Sequence, residues 1–324
     1  MTAALIGLPA TARSEEIVEA WRGGFKAVYS VAANPVDGSC YVADLYQVAR
    51  LAQDGTQMWR MDGFNSAASM CVNPTDGSCW IADTWNGQVV HVSAEGQELW
   101  RGGAFGLPNC VSVNPTDGSC WVADTNGGQA VHLAQDGTQL WAGGQFYLPH
   151  SVSVNPTDGS CWVADTQNHQ VVHLAENGAE LWRSVAAPTN TYPASVSVNP
   201  TDGSCWVVVG DSALGYNVIH LTQDGTEVSR TPLYNPRALC VDPKDGSCWV
   251  TGDAIVYHLD QAGTQIWSGT PAAWSASISV NPTDSSCWVA DFYGVRAVHL
   301  AANGDELLRW GFKGPGSLSV NSAD

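Results

Sequence analysis

Val111-Ser112-Val113-Asn114-Pro115-Thr116-Asp117-Gly118-Ser119-Cys120-Trp121-Val122-Ala123-Asp124-Thr125 recurs letter for letter at residues 152–166. Its centre, Gly-Ser-Cys followed by Trp or Tyr, recurs seven times, with Ser285 replacing the Gly in the last copy. The cysteines are Cys40, Cys79, Cys120, Cys161, Cys205, Cys248 and Cys287, spaced 39, 41, 41, 44, 43 and 39 residues apart. A period of that length marks a repeat architecture, in which each unit buries its apolar surface against its neighbours.

Working outward from Cys120, Val111-Ser112-Val113 alternates as a strand does, and Asn114-Pro115-Thr116-Asp117-Gly118 is turn chemistry. Cys120 to Asp124 is a second strand, Ala130-Val131-His132-Leu133 a third and Thr138-Gln139-Leu140-Trp141 a fourth, with turns at Thr125–Gly128 and Gln135-Asp136-Gly137. Gly143 to Pro149 connects to the next copy. Four short antiparallel strands per unit predict an all-β fold, a seven-bladed β-propeller of four-stranded antiparallel blades spanning Tyr29 to about Trp310. Two strand-like pieces are left over: residues 17–22 resemble a fourth strand and residues 317–321 a first strand. They are expected to join sheets, clamping the ring within one molecule or pairing with another copy.

The run Phe105-Gly106-Leu107-Pro108, Val111-Ser112-Val113, Asp117-Gly118, Trp121-Val122-Ala123-Asp124-Thr125 resembles the NHL-repeat pattern. The likeness is strongest at Asp165-Thr166-Gln167-Asn168-His169-Gln170-Val171, which includes an Asn-His pair. The fourth strand, with Trp141, is similar to quinoprotein-type blades, where a Trp docks between blades. Val209 and Gly252 depart from the Asp found at that place in other units. The resemblance implies a propeller and leaves binding scaffold, lyase and hydrolase open.

A formal charge of −18 and only three lysines (Lys26, Lys244, Lys313) exclude a nucleic-acid-binding surface. Residues 1–14 read as an N-terminal tail whose Ala10-Thr11-Ala12 resembles a signal-peptidase site, and residues 15–324 as one propeller domain. The Thr-, Gln-, Ser-, Asn- and Asp-rich polar surface suits an extracellular or periplasmic protein better than a cytoplasmic one. No stretch is long enough to span a membrane.

Equivalent cysteines in adjacent blades should lie about 10 Å apart, beyond disulfide reach. Cys71, Cys110 and Cys240 lie on first strands, where alternation turns them away from the repeated set. All ten read as free thiols packed as small hydrophobes. Six histidines (His91, His132, His173, His220, His258, His299) share one third-strand place, held by Arg50 in the first unit. If Asp83 pairs with Gln88, Trp80 faces His91 and Cys79 faces Val92, so the histidine is structural and no metal site results. The repeated aspartates read as turn caps rather than calcium ligands.

Variable loop positions are free to bind. The residues before each first strand (Tyr29, Ala68, Asn109, His150, Ala194, Arg237, Ala276) should ring the mouth of the central channel. Second-to-third loops on the same face carry Tyr46, Trp85, Asn126, His169, Tyr216 and Tyr293. The expected ligand-binding residues are Tyr29, Asn109, His150, Arg237, Trp85, His169, Tyr216 and Tyr293, facing a protein, peptide or small molecule. No nucleophile elbow, glycine-rich phosphate loop or paired-carboxylate spacing occurs, and no cofactor is expected. The sequence therefore reads as a non-catalytic binding or assembly scaffold. Its alternatives are a propeller lyase or hydrolase using His150, His169 and Arg237, and a structural subunit that self-associates through strand edges.

Overall fold

The turn that opens each unit is closed by its own side chains. In the second, the Asn73 Oδ1 accepts from Thr75 N (3.0 Å), the Asp76 Oδ1 from Ser78 N (2.8 Å), and Gly77 takes φ 71°. This fixes the register: Val72 pairs with Cys79 and Cys71 with Trp80. The computed structural model describes residues 27–184, 191–211 and 215–311. They form seven four-stranded antiparallel sheets, each built from four consecutive strands. The second blade comprises Ala67–Val72, Cys79–Asp83, Gln88–Val92 and Glu98–Gly102. Helix is confined, among the described residues, to the 3₁₀ turns Thr84–Asn86 and Thr166–Asn168.

The second strands form the core. Trp80, Trp121, Trp162, Trp206, Trp249 and Trp288 are fully buried. Each indole lies flat on the histidine opposite it, as in Trp80–His91, 4.2 Å between centroids and 5° between planes. His91 Nδ1 lies 3.2 Å from the Gln135 carbonyl of the next blade, which can only accept, so Nδ1 carries the proton. Nε2 then accepts from the Ser78 hydroxyl at 3.0 Å. His91, His132 and His220 thus join neighbouring blades, while the cysteines lie in the other register, Cys79 opposite Val92. Burial pushes the repeated thiols well above the usual range and raises Cys71 and Cys240 to about 11, leaving them protonated and unreactive at neutral pH.

Three further contacts repeat around the ring. The threonine of the opening turn donates to the proline carbonyl of the following blade: Thr75 to Pro115, Thr116 to Pro156, Thr157 to Pro200, Thr201 to Pro243 and Thr283 to Pro35. Val36 and Lys244 occupy the remaining two threonine places and have no such hydroxyl. First-strand Ser112, Ser153, Ser197 and Ser279 accept from backbone N–H groups of the next blade at 3.0–3.1 Å. Cys71 and Cys240 substitute for that serine, their sulfurs accepting from Val113 N and Val280 N. Outer tryptophans dock on the next blade's hairpin glycine; a Cβ on Gly137 would lie 2.1 Å from Trp100.

The seam between the seventh and first blades uses the same devices: Ser279 to Ala33 N, Thr283 to Pro35, and Trp310 against Gly55. Each described sheet is whole without a borrowed strand. The leftover strand-like residues 17–22 and 317–321 lie outside the described residues.

Candidate functional site

Fourth-to-first and second-to-third loops gather on one face, around one mouth of the channel. The opposite mouth is ringed by one proline per blade (Pro35, Pro74, Pro115, Pro156, Pro200, Pro243, Pro282) and is lined mainly by apolar residues. At the loop-rich mouth a cavity of about 290 Å³ is lined by Ala68, Asn109, His150, Ala194, Arg237 and Ala276, as expected from their alignment. Tyr29 is set differently: it packs edge-on against Phe292 (4.8 Å), and Ser30 takes its place in the lining. Desolvation raises the Tyr29 hydroxyl above its usual range, with Tyr46 adding to the shift.

The polar groups of this mouth are held by their neighbours. Asn109 Nδ2 donates to the His150 carbonyl (3.1 Å), and His150 Nδ1 lies 3.1 Å from the Ala194 carbonyl, linking three blades. That carbonyl can only accept, so Nδ1 carries the proton and Nε2 has its lone pair free to face the channel. The channel walls desolvate His150 and lower its pKa, the Ala194 bond partly opposing. Arg237 donates to Asp253 through Nε (2.8 Å) and a terminal nitrogen (2.5 Å), and lies 4.3 Å over the Trp274 ring. Burial pulls Asp253 upward, but bonds from Asn235 and Arg237 outweigh it and hold the carboxyl below its usual range.

His169 is not at this mouth. It closes the 3₁₀ turn Thr166–Asn168 in the left-handed conformation (φ 58°) and meets Tyr192 edge-on at 4.7 Å. It lines a second cavity, between the fourth and fifth blades. His150 and Arg237 share the channel mouth; His169 lies with neither.

Outside the mouth the face carries exposed aromatics. Trp85 is 64%, Tyr234 66% and Tyr293 70% exposed, with Tyr46, Tyr147 and Tyr216 also exposed. Tyr147, Tyr234 and the cluster Trp274–Phe292–Tyr293 lie partly on fourth-to-first connections, which the sequence comparison aligned only at their last residue. The second-strand aspartates reach further than a local turn cap: Asp83, Asp124, Asp165 and Asp291 accept from Asn65, Leu107, Tyr147 and Ala273 N–H groups at 2.7–3.0 Å. They tether the connecting loops that build the face. Among the described residues no three His, Cys, Asp or Glu side chains converge as metal ligands. No described helix is long and apolar enough to cross a membrane.

The family model of the NHL repeat matches residues 146–174, the connection into the fourth blade and its first three strands. The other six blades share the four-stranded topology of that blade. Similar solved structures include the Kuenenia stuttgartiensis hydrazine synthase, 15% identical with a TM-score of 0.75 over 88% of this chain and 99% of that one. A streptogramin B lyase is 18% identical, TM-score 0.66, over 82% and 91%. At such identities the likeness establishes the propeller fold alone. No curated protein sequence matches the chain.

Proposed function

We propose that this propeller is a non-catalytic binding scaffold that engages a protein or peptide through its loop-rich face. The observation that carries the reading is the exposed aromatic rim of Tyr46, Trp85, Tyr216, Tyr234 and Tyr293 around a polar mouth. Such side chains bury large area on binding at little conformational cost. The arginine of the mouth is already paired with Asp253, and the two loop histidines lie in separate cavities. Panning a random peptide display library on the full chain tests this. Enriched peptides should lose at least tenfold in affinity for a Trp85→Ala/Tyr293→Ala variant and keep it for Val36→Ser on the opposite face. Binders indifferent to the rim, or no enrichment, would refute it.

A second reading, a lyase or hydrolase acting at the mouth, is favoured by one observation: His150 and Arg237 line the same cavity, and desolvation lowers the His150 pKa, as suits a general base. The similar streptogramin B lyase gives it a precedent in fold. Turnover of a lactone, ester or uronate panel that disappears in His150→Ala would establish it.

A further inference from the structure

In an antiparallel blade the first-to-second turn and the third-to-fourth hairpin lie at the same end, and each places a carboxylate there. Asp76 and Glu95 serve the second blade, Asp117 and Asp136 the third, Asp284 and Asp305 the seventh, and every blade has its own pair. The face around the proline mouth therefore carries fourteen carboxylates in two rings. The turns that hold them contribute two cations, Lys244 and the buried Arg50, and Arg50 is spent on Asp37 at 2.6 Å. A surplus of twelve negative charges is thus gathered on one face of a chain whose formal charge is −18. All of these turns are among the described residues.

Hydrogen bonds fix the carboxylates in place. Asp117 Oδ1 accepts from Ser119 N (2.9 Å) and Asp202 Oδ1 from Ser204 N (2.9 Å). Gln135 of the third-blade hairpin donates to Asp76 (3.3 Å) and Gln223 of the fifth to Asp158 (3.1 Å), so neutral amides knit the outer ring to the inner one. Backbone hydrogen bonds from Thr56 and Thr138 hold Asp54 and Asp136 below the usual carboxylate range, and both stay ionised at neutral pH. The loop-rich face is balanced by contrast: Arg237 meets Asp253, Arg296 meets Asp291 and Arg60 meets Asp62 at 2.5–2.7 Å. Inside the carboxylate rings the mouth is apolar. Its prolines form a rim and first-strand valines such as Val72, Val113 and Val198 a floor, around a cavity of about 260 Å³. That exceeds the roughly 150 Å³ that admits benzene, so one large apolar side chain fits.

We propose that this face docks a cationic segment of a partner protein, one large apolar side chain seated in the proline funnel and basic residues on either side meeting the carboxylate rings. Fixed like charges repel one another, and a cationic partner relieves that repulsion while being steered by the summed field. The apolar funnel asks for a side chain rather than a bare ion, and among the described residues no three carboxylates converge as metal ligands. An anionic membrane surface and the same face of a second copy are both repelled.

The test measures binding of two labelled nonapeptides to the full chain by fluorescence anisotropy: a leucine between two runs of four lysines, and the same peptide with serine at the centre. The leucine peptide should bind saturably and at least fivefold tighter than the serine one, since only its centre gains from leaving water. Raising the salt from about 50 to about 300 mM should weaken it at least tenfold. Asp117→Asn/Asp202→Asn/Asp245→Asn should also weaken it at least tenfold; the amide oxygen still accepts the turn hydrogen bond, so the blades keep their register. Pro74→Ser/Pro156→Ser should bring the two peptides within about twofold of each other. Trp85→Ala/Tyr293→Ala, on the loop-rich face, should change neither affinity. Circular dichroism and thermal unfolding show whether each variant is folded; if the serine variant is not, the asparagine variant and the parent's preference for leucine decide. No saturable binding, equal affinity for the two peptides, spermine binding as tightly as the leucine peptide, or binding that the folded asparagine variant leaves unchanged overturns the proposal.

Discussion

Lowering the pH should loosen the ring through its histidines, and His299 gives the magnitude. It is buried, stacked on Trp288 at 4.2 Å, with Trp310 on the other side of that indole at 4.3 Å. Ser286 donates its hydroxyl to Asp284 (2.6 Å), so His299 Nε2 must donate to Ser286 (2.9 Å), and protonation adds a second buried N–H at Nδ1. Burial depresses the pKa to about 4, the nearby Asp284 opposing. A folded pKa below the unfolded value of about 6.5 gives stability that is whole above pH 6.5 and lost as pH falls toward the folded pKa. Linkage gives a loss of about 2 kcal/mol by pH 5 and about 3 kcal/mol by pH 4. At about 2.1 cal/mol/K per residue, a 324-residue chain shifts its Tm by about 3 °C for 2 kcal/mol. The other five repeated histidines are depressed in the same direction. The overall negative charge opposes the trend, since self-repulsion fades toward the pI, so the measurement is a difference. Tm by calorimetry between pH 7.5 and 5 should fall less in His299→Gln than in the parent, by about 3 °C. Parallel curves would refute the burial argument.

Trp121→Ala, a fully buried indole, should cost about 3–5 kcal/mol by denaturant titration. Gly137→Ala must displace Trp100 and adopt φ +83°, so its Tm should fall by several degrees; an unchanged Tm would contradict the docking contact. Val36→Thr supplies the hydroxyl missing between the first and second blades and should add about 0.5–1.5 kcal/mol, whereas Val36→Ala should add nothing. Thiol titration of the unfolded chain without reductant should return ten free thiols, the full cysteine count.

The blade plan was legible because each unit carries its own register. Asn73 facing Ser78 across the turn fixes Cys71 opposite Trp80, and the next turn fixes Trp80 opposite His91; the pairing is as expected. The loop-rich face was legible only in part. Alignment put Asn109, His150 and Arg237 at the mouth, since one place per blade maps to one radius. It could not separate His150 from His169, which share a face but stand on loops at different distances from the axis. It also missed that Arg237 is engaged, because Asp253 and Trp274 come from two other loops whose approach no periodicity encodes. The aspartate tethers were hidden likewise, each spanning some seventeen residues to a connection of variable length.

Because each blade is one uninterrupted stretch of chain, and the seam from Ser279 to Ala33 matches the other joints, the ring has no privileged starting point. Moving the break to another fourth-to-first connection leaves every sheet whole, so circular permutants opened there should fold. Change by whole units is equally open: a blade duplicated or deleted alters the curvature of the ring but severs no strand pair. A propeller closed by a shared blade lacks that freedom, since its first and last strands must stay together.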